Sequence, residues 1–137
     1  MAIPNYHLIS TSTMFLVPTI YGYCNSLYGL STVSLLTTLC SINYWRNPVG
    51  NNWRLTLDKT MATTSAIIYF SNGYNNIKNP KMRRLGYWNA GSIIGFYRLS
   101  QILHSHNSPY WLYSHMVFHF VTTTGFCLVL HNSLTTI

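Results

Sequence analysis

The stretch Trp111–Phe126, WLYSHMVFHFVTTTGF, is the part of the 137-residue chain on which the reading of the rest depends. It holds no Lys, Arg, Asp or Glu and continues with the same character to about His131, so it reads as a helix of a membrane span or of a buried core. Within it His115 and His119 stand four residues apart. Side chains at that spacing lie one above the other on the same face of an α-helix, so both imidazoles can reach one point. That is the spacing of a metal-binding pair.

Composition identifies the medium around those histidines. Charged residues make up 7% of the chain, whereas soluble domains carry about a quarter. One carboxylate, Asp58, faces eight Lys and Arg, for a formal charge of +7, and 15% of the residues are aromatic. So few charges make a poor solvated surface for a domain of this length. The expectation is an all-α, multi-pass transmembrane bundle of about four to five helices, a single integral membrane domain over residues 1–137. A soluble β-protein rich in Ser, Thr and Asn is the competing reading, kept alive by a mean hydropathy of only +0.14. The basic residues form no long tract with interleaved aromatics, so no nucleic-acid partner is expected. Cys24, Cys40 and Cys127 show no CxxC or Cys/His zinc spacing and read as free thiols. The N-terminus lacks the basic region and cleavage site of a secretory signal and reads as a retained first helix.

Five segments follow along the chain, at roughly 7–23, 26–45, 55–71, 85–103 and 110–131. Pro18 interrupts the first as a tolerable kink. The connectors RNPVGNNWR (Arg46–Arg54), NGYNNIKNPKMRR (Asn72–Arg84) and HSHNSP (His104–Pro109) are marked by Asn, Pro and Gly. The segments are laden with Ser, Thr, Asn and Tyr, which a helix surrounded by lipid would not favour, so their polar faces are expected to pack against protein. Tyr44, Trp45, Trp53, Tyr87, Trp88, Tyr110 and Trp111 lie near segment ends and read as interfacial anchors. Lys78, Lys81, Arg83 and Arg84 weakly favour a cytoplasm-equivalent side for their connector, with Arg46, Arg54 and Lys59 arguing the other way.

If all five segments cross, Ser41, Asp58 and His115 fall at similar shallow depth on one side, with His119 one turn deeper. An ionisable residue inside a span is costly, and it raises the question of its partner. Asp58 has three candidate roles: partner of a histidine ring, ion-pair partner of Arg54 or Lys59, or favourable charge at the positive end of the third segment's dipole. The last is the cheapest. His115 and His119 are candidate metal ligands for zinc, with His104, His106 or Asp58 as a third, while hydrogen bonding to neighbouring helices is the plainer role. His7 and His131 read as interfacial. No resident cofactor is the favoured expectation, and zinc is the one the pair would take.

The order CSINYWRNP (Cys40–Pro48), then Asp58, then SHMVFHF (Ser114–Phe120) resembles the CREST superfamily of membrane hydrolases, which includes alkaline ceramidases and the progestin and adiponectin receptor family. The resemblance implies that His115 and His119 hold zinc while Ser41 and Asp58 are catalytic, orienting or activating the bound water for amide hydrolysis in lipids. Trp45 stands where that family has its first zinc-binding histidine, and the family's seven helices exceed the five this chain can form.

Two functions are therefore expected, and a third is weighed. The first is a small basic membrane protein serving as a structural or accessory subunit of a larger assembly in an organellar inner membrane or the internal membrane of a virus particle, with the lipid bilayer and other protein subunits as partners. The second is a zinc-dependent lipid amidase of the ceramidase kind. A haem or quinone protein ranks last, because only the fifth segment carries histidines well inside.

Overall fold

The computed structural model describes residues 3–135, and all the regular structure in them is helical. The helices are α1 (Tyr6–Ser12), α2 (Leu16–Cys24), α3 (Tyr28–Trp45), α4 (Trp53–Asn76), α5 (Pro80–Ser105) and α6 (Trp111–Leu134). A 3₁₀ turn, Thr13–Phe15, joins α1 to α2, so these make one bent rod and the fold comprises five. Pro18 explains the bend. It has no N–H to give the Met14 carbonyl and its ring crowds that carbonyl, so the turn before it tightens.

Local sequence accounts for where the rods start and stop. Asn5, Asn52 and Asn79 cap the N-termini of α1, α4 and α5, each side-chain oxygen accepting from a backbone N–H of the first turn. Pro80 follows Asn79 at the first helical position, where its missing N–H costs nothing. This cap starts α5 five residues ahead of the expected 85 and draws Lys81, Arg83 and Arg84 into the helix. Two rods end in the same way. After α2, Ser26 is left-handed (φ 62°), with Leu27 N–H bonded to Gly22 C=O and Ser26 N–H to Tyr23 C=O. After α5, Asn107 (φ 54°) repeats the pattern, with bonds from Ser108 to Leu103 and from Asn107 to His104. Both are Schellman closures, which satisfy carbonyls the helix leaves open.

The distribution of side chains is inverted relative to a protein in water. Among the described residues, buried polar side chains outnumber buried hydrophobic ones, and most of the former are Ser and Thr. Half of those hydroxyls bond within their own helix to the carbonyl four residues back: Ser12, Ser34, Thr37, Thr38, Thr122 and Ser133. Meanwhile every rod presents large apolar residues outward, among them Ile20, Leu39, Ile67, Ile94 and Phe120. A small hydrophobic centre remains, where Tyr69 stacks on Phe126 at 3.7 Å between centroids, flanked by Phe15, Leu30, Val129 and Leu130. The Tyr69 hydroxyl donates to Leu30 C=O and shares a hydrogen bond with Ser34.

α5 packs chiefly on α6 and buries only Ser100, which makes it the outermost rod. Its contact with α6 depends on Gly125: Asn89 fits against that glycine and donates to the Val121 carbonyl at 3.0 Å. One helix among the described residues, α6, is long and apolar enough by itself to cross a membrane.

Candidate functional site

One end of the bundle gathers the start of α1, the end of α3, the first two turns of α4, the end of α5 and the start of α6 around a cleft of about 790 Å³. A main-chain hydrogen bond from Asn5 to Trp45 C=O, 3.0 Å, ties the chain's entry to the end of α3 there. Asp58, Lys59, His104 and His115 line the cleft together with Tyr44, Trp45, Tyr97 and Trp111. Ser41 and His119 lie behind it, 3% and 2% exposed.

The two histidines of α6 meet edge to face, 4.9 Å between centroids. Each has its Nδ1 committed to a hydroxyl on another rod: His119 to Thr11 at 2.9 Å and His115 to Ser100 at 3.1 Å. These bonds tie α6 to α1 and to α5. A second hydroxyl path starts from the same rod as Thr11, since Ser12 is hydrogen-bonded to Ser41 at 2.9 Å and Ser41 stands near the Asp58 carboxylate. Thr11, Ser12 and Ser100 were not expected from the sequence. Nothing distinguishes them there from the other hydroxyls, and only the packing of α1 and α5 against the rest selects them.

The Asp58 expectations divide. Asp58 lies in the second turn of α4, beyond the first turn where a charge meets the helix dipole, and Asn52 provides the cap instead. Its partner is Ser41, with the Lys59 ammonium, the Tyr44 phenol and the Tyr97 phenol within its electrostatic reach. Trp45 also departs from expectation. It is no exposed anchor but 8% exposed, its ring 5.2 Å from His115 edge to face and 6.3 Å from Trp111. Its indole Nε1 is buried without a hydrogen-bond partner. Trp53, Tyr87, Trp88 and Tyr110 are exposed, as anchors would be. The three thiols are free, and Cys24 is on the surface.

The donor set does not suit a resident zinc. No three His, Cys, Asp or Glu among the described residues gather closely enough to hold a metal ion. An indole occupies the wall of the cleft beside His115, where a third donor would have to stand. A catalytic zinc needs three protein ligands and one open position.

No family model, curated protein or solved structure matches this chain.

Proposed function

We propose that this chain is a small multi-pass integral membrane protein that serves as a structural or accessory subunit of a larger membrane assembly. The observation that carries the reading is the inverted side-chain distribution, with Ser and Thr predominant among the buried side chains and large apolar residues outside on every rod. In water that exterior would be an aggregation surface, and in lipid it is the favourable arrangement. Lengths agree: 24 or 26 residues in α4, α5 and α6 give about 36–39 Å, and the 18 of α3 about 27 Å, against a hydrocarbon core of about 30 Å. The rods also alternate in direction, since the clefts at the two ends are lined by opposite sets of connectors. The subunit role is supported by α5, whose face away from α6 exposes Leu85, Trp88, Ile94 and Ile102 to lipid or a neighbouring chain. The alternative, a zinc-dependent hydrolase, would need a third ligand, and among the described residues no three His, Cys, Asp or Glu gather closely enough to supply one.

Side-selective labelling tests this. With the native cysteines replaced by serine, single cysteines at Asn51 and Asn107 should react from one face of sealed vesicles, and a cysteine at Lys78 from the other. Reaction of all three from the same face would refute the multi-pass arrangement. In mild detergent the extracted chain should run in a complex larger than one chain and its micelle. A bare monomer would remove the subunit role.

A further inference from the structure

We infer that the cleft at the Asp58 end is a binding site for a phosphocholine headgroup, its trimethylammonium held by Asp58 and the aromatic wall and its phosphate by Lys59. In a chain of formal charge +7, the only carboxylate lines this cleft. Asp58 lines the cleft while Ser41 is 3% exposed, which leaves the cleft side as the direction from which a cation can approach. Around it the rings run on from one another: Tyr44 meets Trp45 at 4.6 Å, Trp45 lies 6.3 Å from Trp111, and Trp111 meets His104 at 4.9 Å. Tyr97 closes the lining from α5.

A wall of aromatic rings with one carboxylate suits a quaternary ammonium, which has no N–H to satisfy and is attracted by ring quadrupoles and by negative charge. A purely anionic ligand would bring its charge against Asp58. Lys59, the next residue, is exposed and also lines the cleft, so a positive group stands a short way from the negative one. That dipolar order matches a zwitterion whose positive end is outermost on its own chain and whose phosphate follows. The volume of about 790 Å³ lies within the ~300–1,000 Å³ typical of small-ligand sites. Membrane phospholipid and soluble phosphocholine compounds share this headgroup, and the test separates them.

The full chain in maltoside micelles is titrated with dihexanoylphosphatidylcholine below its own micelle-forming concentration, with tryptophan fluorescence as the readout, since Trp45 and Trp111 line the site. A saturable change is expected, and Asp58→Asn should weaken it by about tenfold or more. Lys59→Gln should weaken binding of the lipid and of phosphocholine but not binding of choline itself. Lys59 is exposed, so this variant keeps the test open if Asp58→Asn fails to fold by circular dichroism. Free phosphocholine binding as tightly as the lipid would assign the site to a soluble compound, and weaker binding would assign it to a bilayer lipid; either result upholds the headgroup chemistry. An equal response to dihexanoylphosphatidylglycerol, no saturable response, or native-like binding by the variants would overturn the proposal. Micelles have no sidedness, so the labelling experiment can fail while this site stands.

Discussion

At the scale of single residues, Trp45 decides what the paired histidines can do. Its ring packs edge to face on His115, where a third imidazole would otherwise complete a set with His115 and His119. The histidines are left with hydroxyl partners, Thr11 and Ser100, and act as ties between rods. Metal analysis follows directly. The native chain should carry well under one zinc, and Trp45→His should raise this to about one per chain, because a three-ligand set with an open position then becomes available. Stoichiometric zinc in the native chain, lost in His115→Ala, would show that the donors assemble in a way this geometry lacks.

Among the elements, the contact of α5 with α6 is the most exposed to test. Asn89 occupies the space that a side chain at 125 would need, and its amide bonds the Val121 carbonyl exposed beside it. Gly125→Val should therefore destabilise the fold by about 1–3 kcal/mol, read from unfolding in mixed micelles. Gly91→Val on the outer face of α5 is the control, since nothing lies within 4 Å of its Cβ position. A shift below about 0.5 kcal/mol is expected there. Equal effects at the two glycines would mean that α5 does not sit on α6 in this register.

The whole molecule is organised by where its hydroxyls and its apolar side chains go. Trp88 is 76% exposed on α5 while Trp45 is enclosed, so lipid should distinguish them. In liposomes whose acyl chains carry bromine, a single-tryptophan variant retaining Trp88 should be strongly quenched, and one retaining Trp45 only slightly. Similar quenching of both would count against lipid surrounding the rods. Among the described helices only α6 passes as a span on length and average apolarity. On α3, averaging counts Thr37 and Thr38 as though each required water, whereas their hydroxyls bond carbonyls of their own helix and face inward. On α4 and α5 the average is lowered by charged residues and, on α4, by exposed hydroxyls such as Thr63 and Thr64.

Helical class and the rough extent of five rods were legible from the chain itself, because apolar runs, Asn caps and Pro positions act within a few residues of where they stand. Pro18, Asn52 and the Asn79–Pro80 pair each act locally. The convergence of Ser41, Asp58 and His115 on one end was inferable from counting crossings. The partners were not: Thr11 on His119, Ser12 on Ser41 and Asn89 on Gly125 join residues 29 or more apart or, for glycine, depend on a missing atom. Which of many similar hydroxyls meets which ring is a matter of rotation and depth of packed rods, and that is decided by the fit of whole surfaces. Trp45 shows the difference: its position near a helix end was plain, but whether it faced lipid or the histidines depended on the rotation of α3.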